Sequence, residues 1–532
     1  MRLRDSPRIV IGELPGASLK SHLRATLFYK YQTFCGGDTN HPIHRRCSAL
    51  NTNITHTATM ANLPAPTFDL DTWSSNYTGP LKPLRLAHAA AHCPPLSQQA
   101  LTLALDSAKL GKDVQLYTRL CDLAAQLGMR SLSAKDTEWI ARQEDANRRE
   151  LARLEQELKG YKNNLIRESI RMGQEELATH QLMTGGPAAQ PTPEGDQPPA
   201  QNVGLNAAYA AYGRMRDYCT TPTHIAAMTL RLILTSVLQA VTAQQSGSSA
   251  TGHFNAMQAN SNRLRSSGVK DEEMAKLLPI ASASSGLASL GTAAYKDAAN
   301  AFISTPFDLT TIGVVHNLNF TTAVASANDI AIYGGLTALA TLSRQDLTDR
   351  VLGGPFRAFL ELEPHMRKAI SLYTTAKYRA CLDTLQRYAS DWNLDLFLGA
   401  GLNTSLGSHV DRLFALIREK SIVAYFSSFS QVSLTSLSQT FATQESELLS
   451  LIERGALDAR LDLVNGLLVA PQEEIRGKTH GDAREVADEV ERTLLLRLGR
   501  VNAALAGLEV PGGGSKKGGT DWEGKGMGIR GY

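Results

Sequence analysis

Apolar residues recur every three or four positions along most of this chain, which is the spacing that makes one face of a helix apolar. From position 76 these stretches are short, as in Leu81, Leu84 and Leu86 before the break at Pro94-Pro95. Helices of this length cannot each bury an apolar face alone, so they are expected to stack against one another. The pattern predicts an all-α array of helical hairpins over residues 60–300, without a strict repeat period.

The stretch from position 133 to about 183 differs in predicting one long helix. Leu151, Leu154 and Leu158 step by three and four residues on a strongly charged background. We interpret this stretch as an amphipathic helix of the array, with a free coiled-coil partner helix as the alternative. Residues 185–201 (GGPAAQPTPEGDQPPAQ) follow it, and their proline and glycine content predicts a flexible loop.

A change of pattern after position 405 predicts a different fold. Three helical stripes come first, at residues 409–426, 433–441 and 443–454. Ser433 is placed to cap the second helix and Gly455 to end the third. Two short apolar runs then flank Asn465-Gly466, a dipeptide that favours a β-hairpin turn. Three helices followed by a hairpin predict a winged helix over residues 406–471.

A final helix is predicted within residues 472–510, and only a Gly/Lys-rich stretch follows it. Six aliphatic residues at steps of three and four mark its apolar face: Val486, Val490, Leu494, Leu498, Val501 and Leu505. We expect this face to bind partners by bundling with their helices. Folding back onto the array is the alternative.

The two ends of the sequence are unlike its body. Residues 511–532 are predicted to be disordered because Gly and Lys dominate them. Residues 1–59 carry eight Lys or Arg against three Asp or Glu and show no helical period. We interpret them as a disordered extension or as the product of a misassigned start, since a cleaner pattern begins at Met60.

Charge indicates which kind of partner the predicted winged helix would bind. Its third helix carries Glu445, Glu447 and Glu453 against Arg454, a net charge of −2. Because phosphate contacts dominate affinity for DNA, an acidic helix in this position disfavours nucleic acid. We therefore expect protein docking.

The predicted hairpin offers a second surface for a partner. Leu467, Leu468 and Val469 are predicted as an edge strand whose unpaired backbone groups accept a strand from a neighbour. Simple packing in the core of the winged helix is the alternative for the same three residues.

Motifs for catalysis are missing from the sequence. It has no GxSxG, P-loop or HExxH pattern, so we expect a protein that is not an enzyme and needs no cofactor or metal. His88 and His92 lie one helical turn apart beside Cys93, but no Glu stands between them, and we interpret them as a pair of surface or partly buried histidines. The sequence also lacks ~18 uninterrupted apolar residues, so no membrane span is expected. Six cysteines without regular spacing indicate reduced thiols.

Several long stretches carry a family resemblance. Four of them are RMRDYCTTPTHI (Arg214–Ile225), NDIAIYGGLTALATLSRQDL (Asn328–Leu347), FRAFLELEPHMRKAI (Phe356–Ile370) and IREKSIVAYFSSFSQVSL (Ile417–Leu434). They resemble subunit 1 of the COP9 signalosome, a PCI-domain family, and the likeness runs with gaps from about Phe68 to Pro471. The resemblance implies a TPR-like array, then a PCI domain over 301–471 that is helical to about 405, and then a helix in a bundle shared by all subunits.

The resemblance also implies a function. The family's member is a non-catalytic scaffold of an assembly that removes a ubiquitin-like modifier from the cullins of cullin-RING ubiquitin ligases, through another subunit that holds zinc. Its expected partners are the other signalosome subunits and also cullin-RING ligases, in the nucleus and the cytoplasm. The alternative is a subunit of the proteasome regulatory-particle lid, from the same PCI family. A nucleic-acid-associated PCI protein is a third candidate, which the acidic third helix disfavours.

Overall fold

The computed structural model describes residues 63–64, 66–185, 203–401, 407–441, 445–462, 464–470 and 475–507. The predictions for residues 1–59 and 511–532, and for nearly all of the loop at 185–201, fall outside these described residues. The first described position of that loop, Gly185, ends the preceding helix in a left-handed conformation (φ +67°).

Eleven helices make up the first part of the described chain. They are α1 (Leu70–Ser75), α2 (Leu81–His92), α3 (Ser97–Leu110), α4 (Val114–Gln126), α5 (Thr137–Asn163), α6 (Arg167–Thr184), α7 (Val203–Met215), α8 (Pro222–Gln245), α9 (Thr251–Arg265), α10 (Asp271–Gly291) and α11 (Tyr295–Ile303). From α2 onward each helix packs against the next along the chain. This arrangement confirms the predicted array of stacked helices.

The prediction of one long helix between positions 133 and 183 is wrong, because the chain reverses at Asn164–Ile166. Helix α5 ends when the Asn164 N–H bonds the carbonyl of Gly160, and Leu165 then takes a left-handed conformation (φ +56°). Helices α5 and α6 form a hairpin instead. The hairpin has a small core of its own, formed by Leu154, Leu158, Ile170 and Leu177.

Helix α8 has more buried residues than any other helix of the described array, 16 of its 24. By length and composition alone it could span a membrane, but 83% of its most apolar 18-residue window is buried inside the protein. Thr221 caps its start by accepting a hydrogen bond from the His224 N–H (3.3 Å). Its apolar composition is therefore explained by its central position among the other helices.

The second part of the chain mixes helices with short strands. It contains β1 (Val314–Val315), β2 (Leu318–Asn319), α12 (Phe320–Ala323), α13 (Ala327–Thr341), α14 (Arg344–Asp346), a π-helical turn (Leu347–Leu352), α15 (Arg357–Leu362), α16 (Pro364–Thr374) and α17 (Tyr378–Asn393). The terminal elements are α18 (His409–Phe426), β3 (Gln431–Ser433), α19 (Leu434–Phe441), α20 (Glu445–Glu453), β4 (Arg460–Asp462), β5 (Leu467–Val469) and α21 (Ile475–Leu505).

One continuous hydrophobic core runs from Leu70 in α1 to Leu468 in β5. The early helices reach the late ones directly, because the Thr78 N–H bonds the carbonyl of Thr322 (2.9 Å) and the Thr67 N–H bonds the Asp391 carboxylate (3.3 Å). The first and second parts of the described chain are therefore packed against each other within the same core.

Candidate docking site

The winged helix begins with α18, whose start is fixed by a reciprocal cap. The Ser408 hydroxyl accepts a hydrogen bond from the Asp411 N–H (3.2 Å), and the Asp411 carboxylate accepts one from the Ser408 N–H (3.1 Å). Val410, Leu413 and Ile417 lie on the buried face of the helix. The predicted helix at 409–426 is confirmed at both of its ends.

The caps predicted for the next two helices are also present. The Ser433 hydroxyl accepts a hydrogen bond from the Ser436 N–H (3.2 Å) at the start of α19. After α20, Gly455 is left-handed (φ +69°), and the Ala456 N–H bonds the carbonyl of Leu451 (2.9 Å). Local sequence therefore determines where these helices begin and end.

The hairpin that follows joins β4 to β5. The Asp462 carboxylate accepts hydrogen bonds from the N–H groups of Val464 (3.0 Å) and Asn465 (3.2 Å). Gly466 is left-handed (φ +65°), a conformation in which a side chain would be strained. The hairpin predicted from Asn465-Gly466 is confirmed.

The predicted edge position of Leu467, Leu468 and Val469 is wrong. These residues form β5, which lies in the middle of a three-stranded antiparallel sheet of order β3-β5-β4. Leu468 pairs with Val432 on one side and with Leu461 on the other, and its side chain is fully buried. Both backbone edges of β5 are occupied, so the edges open to a partner strand belong to β3 and β4.

Ion pairs join the acidic third helix of the winged helix to its first helix. Arg418 of α18 pairs with Glu447 of α20, and Arg454 pairs with Glu419 (3.2 Å). Lys420 of α18 points the other way and donates to the carbonyls of Leu339 (2.6 Å) and Leu342 at the end of α13. Burial lowers the pKa of Lys420 to about 8. Helix α18 thus connects the winged helix to α13.

Helix α21 has almost no contact with the rest of the described chain. Every described side chain from residue 479 to residue 507 is exposed, except for the half-buried Ala503. The six predicted docking residues all lie on it, and their exposed fractions are 61% for Val486, 51% for Val490, 58% for Leu494, 58% for Leu498, 55% for Val501 and 82% for Leu505. The alternative, in which this stripe folds back onto the array, is therefore wrong.

A buried polar cluster centred on Arg85 is a feature that the sequence did not predict. The Arg85 side chain is only 1% exposed, and its guanidinium lies 3.7 Å from the Asp329 carboxylate. The guanidinium donates hydrogen bonds to the Asp395 carboxylate (2.8 Å) and to the carbonyl of Val324 (2.6 Å). The Tyr77 hydroxyl donates to Asp329 (2.8 Å). Burial raises the pKa of Asp329, and the neighbouring Arg85 opposes that shift. The cluster joins helix α2 to the residues around α13 and after α17, so its role is structural.

The two histidines of α2 make hydrogen bonds to backbone carbonyls. His88 Nε2 donates to the carbonyl of Asn393 (3.2 Å), and His92 Nδ1 donates to the carbonyl of His88 (2.9 Å). Cys93 lies near the carbonyl of Pro64 (3.5 Å). Among the described residues, no three His, Cys, Asp or Glu side chains are placed to hold a metal ion together.

A stacked helical array that leads through a helical segment into a winged helix defines the class of PCI-domain proteins. A PCI domain model matches residues 384–472, and the model of 26S proteasome subunit RPN7 matches residues 136–186 and 200–350. The match to the PCI model covers the winged helix and the second half of α17, the helix before it.

Relatives that match over most of their length identify the family within this class. COP9 signalosome complex subunit 1 of Emericella nidulans is 39% identical over 463 residues, which cover 84% of each chain. The Neurospora crassa subunit is 32% identical (80% of this chain, 88% of the relative), and the Arabidopsis thaliana subunit is 30% identical (82% and 89%). The chain belongs to the COP9 signalosome subunit 1 family.

Proposed function

We propose that this chain is a non-catalytic scaffold subunit of the COP9 signalosome that holds other signalosome subunits through its terminal helix and its winged helix. The name shared by its relatives supports membership of that assembly. The observation that carries the docking role is the apolar stripe of α21, from Val486 to Leu505, which no described part of the chain covers.

The stripe is large enough to hold a partner. A Val or Leu side chain that becomes fully buried contributes about 1.5–3 kcal/mol, so six half-exposed side chains together supply several kcal/mol. A contiguous exposed apolar patch of this kind marks an interaction surface in a folded protein. Partner helices with stripes of their own are the occupants that fit, because they bury both stripes at once.

The winged helix supplies the second contact of this proposal. Since β5 is central, a neighbour's strand adds to the outer edge of β3 or of β4. Gln431 of β3 and Arg460 of β4 are exposed residues on these two outer strands. Leu467, Leu468 and Val469 then support docking from within the sheet, by holding the two edge strands in place.

The assembly's activity belongs to the same proposal. The signalosome would remove a ubiquitin-like modifier from the cullins of cullin-RING ligases, through another subunit that holds the catalytic zinc, in the nucleus and the cytoplasm. This chain would position subunits and, through them, the ligase. The name that its relatives share and the exposed apolar stripe of α21 support this positioning role.

A specific observation favours one second candidate. The match to 26S proteasome subunit RPN7 covers much of the array and is compatible with a subunit of the proteasome lid. Affinity purification of the tagged chain from its own cells, followed by mass spectrometry, separates the two. We expect signalosome subunits and cullins, whereas recovery of proteasomal ATPases in their place would contradict the proposal.

Truncation tests the terminal helix. A chain that ends at Ala470 lacks the whole stripe, so we expect the recovery of partner subunits to fall at least tenfold, the effect of ~1.4 kcal/mol of lost binding. The melting temperature of the isolated chain should stay unchanged, because side chains from residue 479 to residue 507 take almost no part in the core. Undiminished recovery with the truncated chain would sink the docking role of α21.

A further inference from the structure

The turn between α5 and α6 exposes two apolar side chains that have no role in the proposed function. We call residues 159–167 the hairpin tip. Leu165 and Ile166 lie at its turn, and 81% and 54% of their surfaces are exposed. The tip lies on a different part of the chain from both α21 and the winged helix.

Leu165 adopts a conformation that its residue type does not favour. Its φ is +56°, at the position after a helix where glycine or asparagine is usual. Asn163 and Asn164 directly precede it, so a better suited residue type stands one position away. An unfavourable backbone conformation that also exposes a large apolar side chain is typical of a functional contact.

The hairpin holds this leucine in a fixed place. Arg171, with 11% of its side chain exposed, pairs with Glu168 (2.6 Å) and Glu175 (2.9 Å) at the start of α6. Gly173 lets the Tyr161 ring pack closely, since a Cβ there would lie 3.0 Å from Tyr161 Cδ2. The small core behind these contacts makes the hairpin a rigid support for the tip.

Residues 159–167 carry three positive charges and no negative one. Lys159, Lys162 and Arg167 are exposed, and none of them has an ion-pair partner in the part of the chain that the structure describes. The closest carboxylates in sequence, Glu157 and Glu168, already pair with Arg153 (2.5 Å) and Arg171 (2.6 Å). A surface that covers this tip must therefore bring its own acidic groups.

We propose that the hairpin tip docks into an acidic protein surface that contains a shallow apolar pocket. The pocket takes Leu165 and Ile166, and carboxylates on its rim pair with Lys159, Lys162 and Arg167. A rigid turn with one leucine in a fixed direction suits a shaped pocket, whereas insertion into a lipid surface requires no fixed direction. This contact is additional to the docking of sister subunits through α21.

Site-specific photo-crosslinking tests the proposal on the full chain in its native complex. With benzoylphenylalanine at position 166, we expect a covalent adduct to a protein, at an apolar residue with Asp or Glu around it. Lys162→Glu combined with Arg167→Glu should lower the adduct yield at least tenfold. Arg149 is an exposed arginine of α5 outside the hairpin tip, so Arg149→Glu should leave the yield unchanged.

A second variant separates docking from folding. Leu165→Asn removes the apolar side chain but suits the left-handed backbone, so the melting temperature should not fall while the adduct yield does. Recovery of partner subunits through α21 should stay unchanged, which distinguishes this contact from the proposed function. The proposal is overturned if no protein adduct forms, or if the adduct lies on a surface without carboxylates. It is also overturned if the chain pellets with phosphatidylserine vesicles.

Discussion

Buried histidines show how single residues depend on contacts distant in sequence. The sequence indicated a surface or partly buried His88, but the residue is buried, and its partner, the carbonyl of Asn393, lies 305 positions away. His409 is buried against the Tyr295 hydroxyl, 3.1 Å from its Nδ1, and the two residues are 114 positions apart. Burial lowers the pKa of both histidines to about 4. Neither partner could be predicted from sequence, because local patterns do not specify long-range pairs.

These shifts make stability depend on pH. The folded-state pKa lies below the usual value of about 6.5, so the stabilisation is present above pH 6.5 and is lost as the pH falls towards 4. Each histidine should remove up to about 1.4 kcal/mol of unfolding free energy per pH unit in this window. Urea denaturation at pH 7, 6 and 5 measures that slope.

A pair of variants assigns the slope to a residue. His409→Gln should flatten the pH dependence by about one proton, because the neutral amide does not titrate. His480→Gln, at an exposed histidine of α21, should leave the slope as it is in the unchanged chain. Equal slopes for both variants would show that buried His409 is not responsible.

At the scale of elements, local signals predicted the helices and the hairpin of the winged helix, but not the third strand of its sheet. The caps at Ser433 and Gly455 and the turn at Asn465-Gly466 are short-range features, and all three are present. Strand β3 is only three residues long, too short for an alternating pattern to be visible. Without β3 the hairpin appeared to have a free edge at β5, which explains the wrong position of Leu467–Val469. The chain reversal at Leu165 was not predicted, because the turn that it forms contains no glycine or proline.

The central position of β5 predicts how its residues respond to substitution. Leu468→Ala should lower the unfolding free energy of the winged helix by about 2–5 kcal/mol, because the side chain is fully buried between two strands. Val464→Ala in the hairpin turn, where 94% of the side chain is exposed, should change it by less than about 0.5 kcal/mol. Urea denaturation monitored by a fluorescent probe in the winged helix compares the two. Similar losses for both variants would contradict the burial of Leu468.

On the scale of the whole molecule, the sequence predicted the order of the helical array, the winged helix and the terminal helix. It did not predict the contacts that join the early helices to the late ones. Helical periodicity predicted an array and a terminal docking helix, and the family resemblance is confirmed by the relatives. The Arg85 cluster was not predicted, because its partners Val324 and Asp395 lie 239 and 310 positions away. That cluster fixes the early helices against the late ones within the described core.

The central claim, that the stripe on α21 binds sister subunits, is tested most directly by two leucines on the same helix. Leu494 and Leu496 are similarly exposed, at 58% and 65%, but two residues apart on a helix they point in nearly opposite directions. Quantitative mass spectrometry of the complex purified with each variant is the measurement. Leu494→Asp should reduce the recovery of partner subunits at least tenfold, while Leu496→Asp should leave it near that of the unchanged chain. Equal recovery with the two variants would contradict the claim.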